Sequence, residues 1–261
     1  MSAASEYCTM QRRGRVLVLT INRPEVLNAL HRPANLEMEA ALDMFAADPD
    51  LWVAIITGAG PRAFCAGNDL KYQAQGGDTQ QVRNGFGGIT GRFDLSKPVI
   101  AAVNGIAMGG GFEIALACDL IIAAENAVFA LPEPKVGLAA LAGGLLRLPR
   151  QIPMKRAMGM ILTGRSATAH EGLEMGFVNE VVPEGSAVEA AETWAREILE
   201  RSPMSIRASK EAVQLGLGLD LGEAYRAQRN FPAVQAMRAS EDFVEGPRAF
   251  AEKRKPQWKG R

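Results

Sequence analysis

The chain has 261 residues, 48% of them hydrophobic, which is enough to bury the core of one large domain or of a domain with a smaller appendage. Lysine plus arginine and aspartate plus glutamate both number 29, and this zero formal net charge argues against nucleic acid or an anionic membrane as a partner. No stretch of about 18 uninterrupted apolar residues and no signal-like segment is present, so we expect neither membrane insertion nor export.

Cysteine and histidine usage points to a reduced compartment and to no metal site. Cys8, Cys65 and Cys118 lack the spacing of a zinc site or a disulfide framework, so reduced thiols in the cytoplasm fit best. His31 and His170 are isolated in the sequence, and we expect ordinary surface or loop histidines rather than ligands or catalysts.

The first part of the chain alternates strand and helix patterns. Residues 16–21 form an aliphatic run, residues 35–46 place apolar side chains at helical spacing, and residues 52–57 form a second apolar run. Strand, helix and strand in this order favour a parallel α/β arrangement. The glycines at 58 and 60 lead into Pro61 instead of opening a helix, which argues against a dinucleotide-binding fold.

A long polar segment follows, at residues 73–91, with glycines at 76, 77, 85, 87, 88 and 91. Such a loop costs conformational entropy to order. Two interpretations remain open from the residues alone: a lid or substrate-facing segment, or a tolerated surface insertion.

Residues 97–148 organise the rest of the chain. A β-rich run at 98–103 leads to three consecutive glycines, 109–111, and then to a helix predicted to begin at Phe112. Glycine permits close approach of a ligand, and the first N–H groups of a helix have no internal partner. This corner is therefore predicted to bind negative charge.

Two acidic residues accompany the corner. Glu113 lies in the first helical turn, and Glu133 follows a predicted strand at 119–124. Two carboxylates beside an anion-binding corner suggest acid/base chemistry. Each also has a structural explanation: Glu113 would offset the helix dipole, worth about 0.3–1 kcal/mol, and Glu133 would be a solvated turn acid.

The second half of the chain becomes increasingly helical. A boundary near residue 200 is predicted where the composition changes, dividing segment 1–200 from segment 201–261. The pattern predicts helices at 155–163, 169–175 and 187–201, a strand at 178–182, and a final helical region at 204–250.

Sequence blocks spread along the chain resemble the crotonase (enoyl-CoA hydratase/isomerase) superfamily. They occur in the family's order, at residues 22–30, 64–70, 97–119, 129–138 and 245–261. The resemblance implies an α/β fold, a spiral of repeated ββα units with a C-terminal helical region. It also implies an acyl-CoA thioester substrate, no metal and no separate cofactor, and a homotrimer or dimer of trimers in which the C-terminal region completes the CoA site.

The resemblance also assigns roles to individual residues. Glu113 and Glu133 match the catalytic acids, and the backbone N–H groups of Asn68 and Gly110 match the oxyanion hole, which stabilises the enolate oxygen of a thioester. The CoA-binding positions are Leu27, Asn28, Ala29, Ala66, Phe250 and Lys253. The expected acyl pocket contains Tyr72, Phe86 and Leu141. Lys253 lies in a cluster of basic residues, so a solvated tail remains an alternative role for it.

One departure from the family's pattern lies at Leu141. Many enoyl-CoA hydratases have glycine there, and leucine is expected to place an apolar side chain beside the reacting carbons. The paired acids favour reversible hydration over isomerisation with a single base, and residues 86–105, 143–149 and 245–261 look most like those of carnitinyl-CoA dehydratases. The alternatives are an enoyl-CoA isomerase, or a non-catalytic homologue that binds acyl-CoA or RNA.

Overall fold

The computed structural model describes residues 6–261; residues 1–5, which the predicted segment 1–200 includes, lie outside the described residues. The strands are β1 Cys8–Arg13, β2 Val16–Ile21, β3 Val53–Gly58, β4 Ala63–Cys65, β5 Val99–Val103, β6 Ile106–Met108, β7 Leu120–Ala124, β8 Val128–Ala130, β9 Ala167–Thr168 and β10 Glu180–Val182. The helices are α1 Arg32–Ala47, α2 Leu70–Ala74, α3 Gly110–Ala117, α4 Gly144–Gln151, α5 Met154–Thr163, α6 Ala169–Met175, α7 Ala187–Leu199, α8 Pro203–Gly216, α9 Leu221–Ala227, α10 Pro232–Ala239 and α11 Glu241–Ala251.

Two sheets share the strands in a repeating order. The first sheet has the order β1-β2-β3-β5-β7-β10 and is parallel except for the antiparallel pair of β1 and β2; the second has the order β4-β6-β8-β9. The chain passes from a strand of the first sheet to one of the second and then to a helix, as in β3-β4-α2 and β5-β6-α3. The predicted spiral of ββα units is confirmed.

The first sheet is buried on both faces from β2 to β7, whereas β1 is mostly exposed. Leu17 and Leu19 of β2 point into one apolar cluster, whereas Val16 and Val18 point into the other. Successive side chains of a strand alternate between faces, so a sheet covered on both sides needs the uninterrupted apolar run seen at 16–21. Helix α7 closes the second cluster with small alanine side chains.

His31 corrects the prediction of an ordinary surface or loop histidine. It is only 8% exposed, and its ring lies edge-on to Tyr7 and Tyr72. Its Nδ1 accepts a hydrogen bond from the N–H of Ala34 at 3.3 Å, so His31 caps α1, which begins before the predicted residue 35. Capping satisfies a donor that the first turn leaves unpaired.

The C-terminal helices α8–α11 pack on one another and on the core. Lys210 of α8 donates to Asp119 Oδ2 at 2.7 Å and to the carbonyl of Lys97 at 2.9 Å. Trp258, beyond α11, packs against the second apolar cluster. The division at residue 200 stays a prediction. None of the helices in residues 6–261 combines the length and apolar character that a membrane span requires.

Candidate active site

The centre of the site is the corner between β6 and α3. Gly109 has φ 53° and ψ −124°, and its N–H donates to the carbonyl of Ala130 at 2.9 Å, which ties the corner to β8. Helix α3 begins at Gly110, two residues before the predicted start. A β-carbon at position 109 would lie 2.8 Å from Glu133 Oε1. Glycine therefore permits both the backbone conformation and the close approach of Glu133.

Glu113 lies in the first turn of α3 and is 3% exposed. Its Oε1 accepts a hydrogen bond of 2.8 Å from the N–H of Gly144, where α4 begins. Burial raises the pKa of Glu113 to about 7, and the nearby charge of Glu133 adds to this rise, while the Gly144 N–H opposes it. Such a pKa suits proton transfer near neutral pH.

Glu133 begins a short 3-10 turn, Glu133–Val136, after β8. Its carboxyl is half-buried, and within residues 6–261 its Oε2 is a buried atom without a hydrogen-bond partner. Burial raises the pKa of Glu133 as well. Burial of both carboxyls, and for Glu113 also the charge of Glu133, thus favours the neutral forms of the two glutamates.

Two backbone N–H groups lie free beside this pair. Leu30 donates to the carbonyl of Gly67 at 2.8 Å and accepts from the N–H of Asp69 at 3.0 Å, so the N–H of Asn68 points to the opposite side. A β-carbon on Gly67 would lie 3.1 Å from the N of Gly110, so the two segments are adjacent. Neither Asn68 N–H nor Gly110 N–H donates a hydrogen bond within residues 6–261.

The side chain of Asn68 does not enter this corner. Its Nδ2 donates to Oε1 of Gln73 at 2.7 Å, on helix α2. The main-chain donor is thus left unobstructed by its own side chain.

Phe86 lines two cavities, whose lining residues include neither Glu113 nor Glu133. A β-carbon on Gly110 would lie 2.4 Å from the Phe86 ring, so the ring covers the start of α3. Asn68, Tyr72 and Phe86 line a cavity of ≈ 80 Å³, and Phe86 and Leu141 line a larger one of ≈ 590 Å³. Leu141 is 77% exposed, so it lies in the open wall of the larger cavity. Tyr72 and Leu141, both expected in the acyl pocket, thus line different cavities, and Phe86 lines both.

The loop expected to bind CoA is held in an uncommon conformation. Leu27 and Asn28 have φ of 55° and 56°. Asn28 is fully buried; its Oδ1 accepts from the N–H of Arg23 at 2.9 Å, and its Nδ2 donates to the carbonyls of Ala59 and Ala63 at 3.0 and 2.7 Å. The side chain of Asn28 therefore shapes the loop and has no amide hydrogen left for a ligand.

The remaining CoA-binding positions fall into two groups. Ala66 donates its N–H to the carbonyl of Leu27 at 3.0 Å, and Ala29 precedes the bridge to Asn68, so these positions are neighbours. Phe250, 87% exposed, and Lys253 lie at the end of α11. Among the described residues of one chain, no hydrogen bond, ion pair or ring contact joins them to the first group.

Three contributors to the site had not been assigned a role from the sequence. Gly144 supplies a hydrogen bond to Glu113, and the ion pair of Arg23 with Asp69 lies directly behind Asn68. Arg23 and Asp69 lie in the blocks at 22–30 and 64–70 that resemble the family, and Gly144 lies in the segment 143–149 that resembles carnitinyl-CoA dehydratases. Residues 6–261 contain no group of three or more His, Cys, Asp and Glu side chains arranged to hold a metal ion.

A ββα spiral with the buried Glu113 and the half-buried Glu133 beside free N–H groups defines a crotonase-type site. The chain belongs to the enoyl-CoA hydratase/isomerase family, whose model matches residues 11–261. It is 46% identical over 263 residues to a carnitinyl-CoA dehydratase of Salmonella arizonae, a match that covers 98% of this chain and 99% of that protein.

Solved structures agree with this assignment. The enoyl-CoA hydratase of Mycobacterium tuberculosis H37Rv is similar with a TM-score of 0.92 and 40% identity, over 98% of this chain and 99% of that chain. A carnitinyl-CoA hydratase from Mycobacterium avium has a TM-score of 0.77 and 43% identity over the same shares. The family and fold expected from the sequence are confirmed.

Proposed function

We propose that the protein is a hydro-lyase of the enoyl-CoA hydratase type, which adds water to 2-enoyl-CoA thioesters and removes it from 3-hydroxyacyl-CoA thioesters. The names of its relatives, carnitinyl-CoA dehydratase and enoyl-CoA hydratase, support this activity. The observation that carries the proposal is the buried carboxyl of Glu113 and the half-buried carboxyl of Glu133 beside the free N–H groups of Asn68 and Gly110.

The two N–H groups bind the thioester oxygen. When water adds to the β-carbon, negative charge moves through the conjugated system onto that oxygen, and both donors stabilise it more in the transition state than in the substrate. Because Asn68 and Gly110 donate through the main chain, their geometry is fixed by the Leu30–Asn68 bridge and by the start of α3.

The two glutamates move the protons. One, ionised, takes a proton from water as the water oxygen attacks the β-carbon; the other, protonated, delivers a proton to the α-carbon. A C–O bond and a C–H bond form while the C=C π bond is lost, and no electrons leave the substrate. Dehydration is the reverse, so one pair of carboxyls serves both directions.

The CoA part is proposed to bind in two pieces. The backbone of Leu27, Ala29 and Ala66 would meet the nucleotide, with Asn28 shaping the loop. Phe250 and Lys253, exposed and separate from this group in one chain, would reach the nucleotide of a neighbouring subunit in a homotrimer or dimer of trimers. We place the enzyme in the cytoplasm, in keeping with the buried free cysteines Cys65 and Cys118.

The acyl group is proposed to enter the cavity of ≈ 590 Å³ beside Phe86. Because a relative is named carnitinyl-CoA dehydratase, the carnitinyl group is the first substituted acyl group to test. A quaternary ammonium would favour an aromatic face. Arg147 already lies over the Phe93 ring at 5.4 Å, and Tyr72 packs against His31 at 5.0 Å, so Phe86 is the proposed aromatic contact.

Loss of the ultraviolet absorbance of the conjugated enoyl thioester tests the proposal. Wild-type protein is expected to consume crotonyl-CoA or crotonobetainyl-CoA and to place solvent oxygen in the 3-hydroxyacyl product, which mass spectrometry in isotopically labelled water detects. Double-bond migration without labelled oxygen would identify an isomerase instead. Saturable acyl-CoA binding without turnover of either substrate would identify a non-catalytic homologue.

A further inference from the structure

A buried ion pair lies directly behind the proposed oxyanion donor Asn68. Nη1 of Arg23 and Oδ2 of Asp69 are 3.0 Å apart, with side chains only 12% and 10% exposed. The same Nη1 donates to the carbonyl of Ala29. Desolvation offsets much of the attraction in a buried pair, so its presence is weak evidence of a role in stability alone.

Asp69 fixes the backbone on the C-terminal side of Asn68. Its N–H donates to the carbonyl of Leu30 at 3.0 Å, and its Oδ1 accepts from the N–H of Tyr72 at 3.1 Å, which caps α2. On the other side of Asn68, the carbonyl of Gly67 accepts from the N–H of Leu30 at 2.8 Å. The peptide that carries the Asn68 N–H is therefore held at both ends.

Arg23 is also held in place, by hydrogen bonds to Asn28 in the loop that follows it. Its N–H donates to Asn28 Oδ1 at 2.9 Å, and its carbonyl accepts from the N–H of Asn28 at 2.8 Å. Its guanidinium then spans from the carbonyl of Ala29 to Asp69. A planar guanidinium with several donors suits this bridging better than the point charge of a lysine.

We propose that Arg23 and Asp69 are positioning residues that set the direction of the Asn68 N–H toward the thioester oxygen. This clamp rests on the proposed function, since it matters for catalysis only if the Asn68 N–H serves as an oxyanion donor. A donor held by two rigid neighbours needs no reorganisation as charge develops, which is what makes such donors effective. Loosening the clamp misdirects the donor, while the hydrogen bonds of the Arg23 backbone to Asn28 still hold the loop.

The test compares Asp69→Asn, Arg23→Met and Arg23→Lys with wild type. Asparagine keeps an acceptor for the Tyr72 N–H, so Asp69→Asn removes the charge but not the cap. Asp69→Asn and Arg23→Met are expected to lower kcat for crotonyl-CoA hydration about 10- to 100-fold with KM little changed. Arg23→Lys is expected to recover part of kcat.

A chromophoric cinnamoyl-CoA thioester supplies a readout of the donor itself. Its absorption shifts to the red when its carbonyl is polarised, so the bound ligand is expected to show a smaller red shift in Asp69→Asn and Arg23→Met than in wild type. Arg12→Met is the control for loss of an arginine–aspartate pair outside the site, because Arg12 pairs with Asp48 at 3.1 Å on the exposed strand β1. It is expected to leave kcat and the red shift unchanged.

Two outcomes would overturn the clamp. One is that Asp69→Asn and Arg23→Met keep the red shift and the kcat of wild type, even if their melting temperatures are lower. The other is a loss of activity in these variants that is explained by a higher KM or a lower melting temperature, while the red shift stays at the wild-type value. A wild-type protein that hydrates no enoyl-CoA would instead overturn the proposed function, so the two failures are distinguishable.

Discussion

Gly109→Ala is expected to damage stability and catalysis through separate effects. Alanine at φ 53° and ψ −124° occupies a region that favours glycine, which costs about 1–3 kcal/mol of unfolding free energy. For a chain of this size, each kcal/mol lowers Tm by about 2–4 °C. The new β-carbon would also lie 2.8 Å from Glu133 Oε1, so the carboxyl must move by several tenths of an ångström. A displacement of that order is expected to lower kcat about tenfold.

Crotonyl-CoA hydration and thermal unfolding of the same preparations measure both effects. Gly14→Ala is the matched control: Gly14 also has a positive φ, 60°, but nothing lies within 4 Å of its added β-carbon. It is expected to lower Tm without lowering kcat. If Gly109→Ala kept wild-type kcat while losing stability like Gly14→Ala, the proposed dependence of catalysis on the Glu133 position would be wrong.

Three further predictions follow from the same geometry. Gly144→Ala would place a β-carbon 3.0 Å from Cγ and 3.1 Å from Oε1 of Glu113 and 3.1 Å from Cδ1 of Leu131, so it is expected to lower both kcat and Tm with little change in KM, measured by the same kinetics and melting curves. Burial raises the pKa of Glu113 from 4.5 to about 7, so the folded state loses stability as the pH rises through that interval. Glu113→Gln is therefore expected to have a higher Tm than wild type above pH 7 but not below pH 4.5, which calorimetry at a series of pH values measures. Lys253→Ala is expected to raise KM for crotonyl-CoA but not for crotonyl-pantetheine, which lacks the nucleotide. Sedimentation of the wild-type protein is expected to show a trimer or hexamer, and a monomer would contradict the shared CoA site.

Elements with long uniform patterns were predictable from the sequence. The strand predicted at residues 16–21 and the helix predicted at 169–175 match β2 and α6 in both bounds. The second sheet had no such signal, because β4, β6 and β8 contain three residues each, too few for an alternating pattern to show. The early start of α1 was missed because His31, which is not a usual N-cap residue, caps it.

The site was predictable mainly through the family resemblance. Residue types alone left Glu113 with a structural explanation, dipole compensation in a first helical turn. What the sequence could not supply were contacts between distant segments: Gly144 and Glu113 are 31 residues apart, and Arg23 and Asp69 are 46 apart. The members of such pairs come into contact only in the folded protein, so no local sequence pattern indicates them.

The central claim is that Glu113 and Glu133 act as one acid/base unit. The most direct measurement is kcat for crotonyl-CoA hydration by wild type, Glu113→Gln, Glu133→Gln and the double variant, with cinnamoyl-CoA binding as the check of an intact site. Groups that act together give strongly non-additive losses. We expect each single variant to lose nearly as much activity as the double variant. The claim would be contradicted if the activity losses of the two single variants multiplied to give the loss of the double variant, or if a single variant retained wild-type kcat.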